Sequence, residues 1–228
     1  MTELHNERIE YKILLSGIEP KIIEEYVHSI PYAFKCSYDD RFVNSIYYDT
    51  LNYKALHDNL SGVSRRYKTR LRWYNSIKEA NGCYIEFKSK NGVLGSKYIV
   101  PIDLNLGLNN ISHSEIVFEV SKHLNDNDHL MFNYCSHNPV VLVRYNRSYY
   151  ESKSYDIRIT IDKGIRFYPQ QLSSKLNISN NSRNNENIIL EIKYMNSNHE
   201  LISDIVQYLP YRVTKSSKYV MGVDSIMI

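Results

Sequence analysis

Residues 65–74 read RRYKTRLRWY, and this stretch decides the fold because its charges fall on every second position. In a β-strand, side chains at positions i and i+2 lie on the same face of the sheet. Lys68, Arg70 and Arg72 therefore share one face of a predicted strand, and Trp73 lies on the other face. The pattern predicts a strand with one cationic face and one apolar face.

The same alternation of charged and apolar residues recurs in RIEYKILL (8–15), YIEFKSK (84–90) and LEIKY (190–194). For any one strand, an exposed face of salt-bridged charges is the simpler explanation. The recurrence in one domain favours a second explanation, in which the apolar faces pack on outer helices and the charges point inward. Unpaired charges in a dry interior would be prohibitive, so this arrangement needs a wet interior and a counter-charged ligand. A polyanion fits, because Arg and Lys side chains bind phosphate oxygens. Spacing alone leaves both explanations open.

The chain reads as strands alternating with a few helices. Strands are predicted over residues 8–15, 42–50, 65–74, 83–90, 97–102, 140–150, 155–162 and 188–194. Helices are predicted over 19–29, 51–60, 112–124 and 201–209, the third opened by a capping box of Ser112 and Glu115. The Asn- and Ser-rich residues 177–187 are predicted to form a mobile surface loop. We predict an α+β fold for a single domain, 1–228, built on an eight-stranded antiparallel β-barrel with helices packed outside.

Composition excludes some classes of function. Lys and Arg total 28 against 25 Asp and Glu, and the net charge of +3 is too mild for a nucleic-acid coat. Cys36, Cys83 and Cys135 have no metal-ligand spacing, which is typical of a reducing compartment. No apolar run approaches the ~20 residues that a transmembrane helix needs, and the first residues lack the apolar core of a signal peptide. We therefore expect a soluble, cytoplasmic protein.

Several of these motifs, taken in order, resemble a known family. RIEYKILL, SIYYDTLNYKALHDNLSGVSRRYKTRLRWY, YIEFKSK, VRYNRSYY, RITID, LEIKY and TKSSKYVMGV occur in the order of the VTC domain, over roughly residues 6–226. The VTC domain is the catalytic domain of the vacuolar transporter chaperone type of polyphosphate polymerase and one of the triphosphate tunnel metalloenzymes. The resemblance implies an eight-stranded antiparallel barrel whose tunnel binds ATP and inorganic polyphosphate. The implied reaction transfers the γ-phosphoryl group of ATP to a growing polyphosphate chain.

The resemblance also implies roles for individual residues. The phosphate-binding cations of the catalytic tunnel are matched by Lys12, Arg70, Arg72, Lys88, Arg147, Arg158 and Lys218. Further phosphate contacts are matched by Lys97, Tyr145, Lys193, Lys215 and Ser217. The metal-binding carboxylate is matched by Glu191, with Glu10 and Glu86 as second carboxylates for Mn²⁺ or Mg²⁺.

One departure within the superfamily bears on the reaction. The hydrolytic branch shows Glu-x-Glu-x-Lys on its first strand, whereas these positions are Arg8, Glu10 and Lys12 in this chain. A cation in place of the first carboxylate favours the polymerase branch. Two alternatives stay open, a triphosphatase or tripolyphosphatase that uses the same tunnel and a non-catalytic polyphosphate-binding module. Coupling to the inner face of a membrane would require a partner chain, and the sequence predicts no oligomeric state.

Overall fold

The computed structural model describes residues 8–80, 82–92, 94–102, 107–128, 138–171, 173–179, 182–195, 199–209, 212, 214 and 216–227. The strands of this part of the chain are β1 (Arg8–Leu15), β2 (Lys35–Asp49), β3 (Arg65–Tyr74), β4 (Cys83–Asn91), β5 (Leu94–Ile102), β6 (Asn138–Ser152), β7 (Ile157–Pro169), β8 (Arg183–Asn185) and β9 (Ile188–Met195). They form one antiparallel sheet in the order β1-β9-β7-β6-β2-β3-β4-β5, with β8 paired to β7.

The predicted fold class is confirmed, with differences in detail. Among the described residues no hydrogen-bonded pairing joins β1 to β5, so the sheet does not close as a barrel. It is nevertheless curved, because Thr214 and Ser217, which are close in the sequence, bond to β1 and β3. Strand β2 begins seven residues before the prediction (residue 35 against 42), since its first half has register shifts that break the alternation. Strand β7 likewise continues past residue 162 beyond a register shift in its pairing with β6. Part of the predicted loop is a strand instead, because residues 183–185 pair with β7.

The helices are α1 (Pro20–Ser29), α2 (Lys54–Leu60), α3 (His113–Ser121), α4 (His199–Gln207) and α5 (Lys218–Met227). The predicted capping box is confirmed, because Ser112 Oγ accepts from the N–H of Glu115 and the Glu115 carboxylate accepts from the N–H of Ser112. The sequence pattern predicts no helix over the residues of α5. No helix in the described part of the chain combines the length and apolarity needed to span a membrane.

Helices α1, α3 and α4 cover the outer, apolar face of the sheet. Ile23 of α1 and Ile202 of α4 lie in one buried cluster with residues of β1, β7 and β9, such as Ile192. Ile116 of α3 lies in a second buried cluster with residues of β2 to β5, such as the fully buried Trp73. The charged residues that alternate with these apolar ones therefore face the inside of the curved sheet, as the second of the two explanations requires.

Helix α5 lies inside the curved sheet and fills one end of it. Tyr219 and Val223 of α5 pack in a third buried cluster with apolar side chains from the inner face of β2, β6, β7 and β9. Gly222 permits this close approach, since a Cβ there would lie 3.0 Å from the ring of Phe167 and 3.2 Å from a methyl group of Val141. A glycine in mid-helix weakens the sequence signal for a helix, which explains why α5 is hard to predict.

Asp49 fastens α2 and α5 to the end of β2. Its fully buried carboxylate accepts from the N–H groups of Ala55 (2.9 Å) and Leu56 (3.0 Å) and from the hydroxyl of Tyr219 (2.5 Å). We expect Asp49→Asn to lower the free energy of unfolding by about 2–4 kcal/mol, because an amide group cannot accept all of these bonds.

Urea denaturation of Asp49→Asn checks this expectation, with Asp58→Asn as the matched control. Asp58 lies in α2, one of the two helices that Asp49 bonds to, and pairs with Lys54 at 2.8 Å on the surface. Such a pair contributes about 0.3–0.5 kcal/mol. Equal destabilisation by the two substitutions would show that the Asp49 bonds do not hold the helices.

Candidate active site

The charged side chains of the sheet lie on one continuous inner face. Cross-strand neighbours point to the same side of a sheet, and the register pairs Lys12 with Glu191 and Arg70 with Glu86. Register partners and residues two apart on a strand share a face, and by this rule the inner face carries more cations than carboxylates. Its cations include Lys12, Lys68, Arg70, Arg72, Lys88, Lys97, Arg147, Arg158 and Lys193, and its carboxylates include Glu10, Glu86, Glu151, Asp162 and Glu191.

The segment that leads into α5, from Thr214 to Lys218, contacts strands that are far apart in the order of the sheet. The N–H of Thr214 donates to the carbonyl of Lys12 on β1 at 2.7 Å. Immediately before α5, Ser217 Oγ accepts from Lys68 Nζ of β3 at 2.9 Å. Lys218, the first residue of α5, forms an ion pair with Asp162 of β7. One short segment thus contacts β1, β3 and β7, so these strands curve around it.

Glu86 holds a first group of cations, the Glu86 cluster. Arg70 Nε donates to Glu86 Oε2 at 2.6 Å, while Arg72 Nη1 and Lys97 Nζ lie 3.8 and 3.5 Å from Glu86 Oε1. Arg72 also donates to the hydroxyl of Tyr145 at 3.2 Å. Burial alone would raise the pKa of Glu86, but the charges of Arg70 and Arg72 outweigh it and hold the pKa well below its usual range. Glu86 is therefore a fixed anion that orients both guanidinium groups.

A second group, the Asp162 cluster, lies on β6, β7 and α5. Arg147 donates from Nε and Nη2 to the two carboxylate oxygens of Asp162, at 2.5 and 2.7 Å. The Lys218 ammonium contacts the same carboxylate and lies 4.7 Å from the ring centre of Tyr145. Although burial of Asp162 opposes ionisation, the charges of Arg147 and Lys218 lower its pKa. Two cations share one carboxylate, so the cluster has a net positive charge available to a ligand.

The third group, the Glu191 cluster, lies on β1 and β9. Lys12 Nζ lies 2.6 Å from Glu10 Oε1 and 3.9 Å from Glu191 Oε1, and Lys193 Nζ lies 3.5 Å from the same Glu191 oxygen. Arg147 Nη2 reaches Glu191 Oε2 at 3.4 Å and so links this group to the Asp162 cluster. Burial of Glu191 opposes its ionisation, but Lys193, a hydrogen bond with Glu10 and Lys12 hold its pKa well below the usual range.

Three lysines form a row across neighbouring strands. The register pairs Lys68 of β3 with Lys88 of β4, and Lys88 with Lys97 of β5. The charge of Arg70 and then burial lower the pKa of Lys88, and burial lowers the pKa of Lys97 against the attraction of Glu86. Burial and the charges of Lys12, Arg66 and Arg70 lower the pKa of Lys68 to about 7. Ammonium groups held so close together favour a polyanion that would neutralise them.

The remaining predicted site residues lie at the margin or outside the described chain. Arg158 shares the inner face with Lys193, yet its side chain is 45% exposed and pairs with Glu151 at 2.6 Å. Ser217 accepts from Lys68, as described above. Lys215 lies outside the described residues. All other residues of the predicted site lie in the three clusters or the lysine row.

The three predicted metal ligands do not come together. In the described part of the chain, no group of three Asp, Glu, His or Cys side chains is arranged to hold a metal ion. Glu10 lies beside Glu191, but Glu86 belongs to a separate cluster, because its register partner on β3 is Arg70. Glu86 is therefore engaged by guanidinium groups.

The predicted site did not include three inner-face residues that the structure places among its members. Asp162 binds Arg147 and Lys218, and Lys68 binds Ser217. Thr160, opposite Glu191, has a buried hydroxyl with no hydrogen-bond partner among the described residues. The alternation in RITID and RRYKTRLRWY puts all three on the charged face, so spacing was the signal that could have identified them.

The lowered pKa of Lys68 predicts a pH dependence of polyanion binding. Above pH 7 the free protein holds Lys68 largely neutral, and a bound polyphosphate would favour its charged form. Binding should therefore take up protons, and affinity should fall as the pH rises above 7. Calorimetry of tripolyphosphate binding at about pH 8, in buffers of different ionisation enthalpy, measures this uptake.

The matched variants for this measurement are Lys68→Met and Lys122→Met. Lys122 follows α3 and pairs with Glu119 on the surface. We expect Lys68→Met to take up fewer protons than the parent and Lys122→Met to match the parent. Unchanged proton uptake in Lys68→Met would contradict the assignment.

Comparison with known proteins agrees with this geometry. The family model described as VTC domain matches residues 7–227, nearly the whole chain. The chain belongs to the VTC domain family. Membership indicates polyphosphate-related phosphoryl-transfer chemistry and leaves polymerase and triphosphatase activity both open. No curated protein matches the sequence significantly.

Three solved structures are similar to this VTC domain at low sequence identity. A Vibrio parahaemolyticus protein named "putative adenylate cyclase" is 10% identical, with a TM-score of 0.52 over 95% of this chain and 98% of that chain. The PH1819 protein of Pyrococcus horikoshii OT3 is 12% identical, with a TM-score of 0.49 over 96% and 99%. The Mimivirus capping enzyme triphosphatase is 11% identical, with a TM-score of 0.36 over 87% and 86%. The first similarity supports the fold and nothing finer.

Proposed function

We propose that this VTC domain is a polyphosphate polymerase that transfers the γ-phosphoryl group of ATP to inorganic polyphosphate. In this step an oxygen of the terminal phosphate of the chain forms a bond to the γ-phosphorus, and the bond from that phosphorus to the leaving oxygen of ADP breaks. The observation that carries the proposal is the inner face of the curved sheet, on which cations outnumber carboxylates and several lysines have lowered pKa values.

The arrangement suits phosphoryl transfer in particular. This reaction needs positioned reactants and stabilised negative charge more than it needs a covalent intermediate. Arg70, Arg72 and Arg147 are held by Glu86, Tyr145 and Asp162, so their donors are fixed before a ligand arrives. Such preorganised charges stabilise a developing negative charge without reorganising during the reaction. Further positive charge along the bound polyphosphate would come from Lys12, Lys88, Arg158, Lys193 and Lys218.

A divalent cation, Mn²⁺ or Mg²⁺, fits the Glu191 cluster. Glu10 and Glu191 supply two adjacent carboxylates, and the unpartnered hydroxyl of Thr160 lies opposite Glu191. Two carboxylates suffice for an ion that takes its other ligands from phosphate oxygens and water, as Mg²⁺ commonly does. When bound, the ion would neutralise charge on phosphate oxygens. Glu191 and Glu10 are thus the residues that we propose hold it.

Polymerase rather than triphosphatase activity is supported by the sequence of the first strand. The position where the hydrolytic branch carries its first Glu is Arg8 in this chain, so the strand has one carboxylate fewer than in that branch. Fewer ligands for the ion reduce the means of activating a water molecule, which hydrolysis would require.

Product analysis tests the proposal. The purified protein is incubated with ATP and Mn²⁺, and ADP, orthophosphate and polyphosphate are resolved over time. The proposal predicts that long polyphosphate accumulates in step with ADP. Orthophosphate without polymer would instead establish a triphosphatase, and tight polyphosphate binding without either product would leave a binding module.

A further inference from the structure

A group of tyrosines surrounds an arginine at one end of the charged face. We name this group, Tyr38, Arg41, Tyr74, Tyr84 and Tyr149, the tyrosine mouth. Register places them on the inner face, because Tyr38 pairs with Tyr149, Arg41 with Arg147, and Arg72 with Tyr84, while Tyr74 follows Arg72 by two residues on β3. The mouth therefore adjoins the phosphate-binding arginines directly.

In the mouth, the rings of Tyr38, Tyr74 and Tyr149 surround the guanidinium group of Arg41. The guanidinium carbon of Arg41 lies 4.4 Å from the ring centre of Tyr74, 4.8 Å from that of Tyr149 and 5.3 Å from that of Tyr38. Arg41 Nε donates to the hydroxyl of Tyr149 at 3.0 Å, and the hydroxyls of Tyr74 and Tyr84 lie 2.6 Å apart. These contacts fix the planes of the rings and of the guanidinium.

Two features of the mouth point to a ligand. No carboxylate of the described residues forms an ion pair with Arg41, although the arginines deeper in the site have carboxylate partners. The side chain of Tyr38 is 52% exposed, and its ring meets that of Tyr149 edge-on at 5.6 Å, which leaves ring surface uncovered. Aromatic faces and arginine planes are the surfaces on which nucleic-acid bases stack.

We propose that the tyrosine mouth binds the base of the nucleoside triphosphate, with Tyr38 and Arg41 as its stacking surfaces. This inference rests on the proposed function, which supplies a nucleotide substrate for the same site. The proposal also fixes the orientation of the nucleotide along β3. Along β3, successive inner-face residues run from Tyr74 through Arg72 and Arg70 to Lys68, at about 6.6 Å per step. A base at Tyr74 orients the γ-phosphate toward Lys68 and the lysine row, where the growing chain would lie.

The test compares two ligands that differ in the base. The β,γ-imido analogue of ATP and inorganic tripolyphosphate are titrated by calorimetry into the parent protein, Tyr38→Ala and Arg41→Lys. Tyr208→Ala is the matched control, because Tyr208 is similarly exposed (47%) and follows α4 on the outer side of the sheet. The titrations are made without added metal, so that they measure the binding of both ligands without turnover.

We expect Tyr38→Ala to weaken the binding of the ATP analogue by about tenfold or more, which is the effect of removing one base-stacking ring. Arg41→Lys keeps the positive charge but removes the planar guanidinium group, so it should also weaken the binding of the analogue. The affinity for tripolyphosphate should change by less than about twofold in Tyr38→Ala. The control Tyr208→Ala should bind both ligands as tightly as the parent protein does.

If Tyr38→Ala weakened the binding of both ligands equally, or of neither, the proposal of a base-binding subsite would be overturned. These outcomes differ from failure of the polymerase proposal. A parent protein that makes no polymer, while Tyr38→Ala weakens only the ATP analogue, would reject the polymerase and keep the nucleotide subsite. A parent protein that makes polymer, with no ligand-specific loss in Tyr38→Ala, would keep the polymerase and reject the subsite.

Discussion

Glu191→Gln is expected to reduce phosphoryl transfer by about a hundredfold to a thousandfold, the range found when one preorganised charge-stabilising group is removed from an active site. The amide keeps the size of the side chain but loses the charge that would hold a divalent cation beside Glu10. Tripolyphosphate binding without metal should be retained or strengthened, since the substitution removes a negative charge from among Lys12, Lys193 and Arg147. Initial rates of ADP formation and calorimetric titration measure the two effects.

Glu151→Gln is the matched control for this substitution. Glu151 is also an inner-face carboxylate paired with a cation, but its partner is the exposed Arg158. We expect Glu151→Gln to retain most of the activity. Full activity in Glu191→Gln, or loss of tripolyphosphate binding together with activity, would contradict the role given to Glu191.

Arg147→Met is expected to lower the free energy of unfolding by about 3–5 kcal/mol, as removal of one partner from a buried ion pair does. Arg147 donates two hydrogen bonds to the fully buried Asp162 and a third to Glu191. With methionine in place, both carboxylates stay buried and keep only their lysine partners. Urea denaturation, followed by tyrosine or tryptophan fluorescence, measures the loss.

Arg158→Met is the control for this prediction, because it removes the same charge from the same face at an exposed position. An exposed ion pair contributes about 0.2–1 kcal/mol, so the control should change stability by no more than that. Equal losses in the two variants would mean that the Arg147–Asp162 contact is not a structural element of the site.

The strands were predictable wherever the alternation of two residues was unbroken. β1, β3 and β9 carry charges at every second position, and their limits follow from the sequence to within a residue. The first half of β2 could not be read in this way, since its pairing with β6 shifts register between Cys36 and Tyr38 and again before Arg41.

The identities of the inner-face residues were predictable, whereas their partners were not. Alternation places Glu86 and Glu191 on the same face, but only the register shows that Arg70 lies opposite Glu86 and Lys12 opposite Glu191. This register assigns Glu86 to the guanidinium groups and leaves Glu10 beside Glu191. Tyr38 and Arg41 were missed for a related reason, since they lie in the bulged part of β2 where no simple pattern survives.

The position of a bound phosphate chain tests the central claim most directly. A crystal structure of the protein with tripolyphosphate and Mn²⁺ would show the phosphates by their density and the metal by its anomalous scattering. We predict phosphate oxygens within hydrogen-bonding distance of Arg70, Arg147 and Lys218, and a manganese peak beside Glu191. Tripolyphosphate bound on the outer face of the sheet, with the inner face unchanged, would contradict the account.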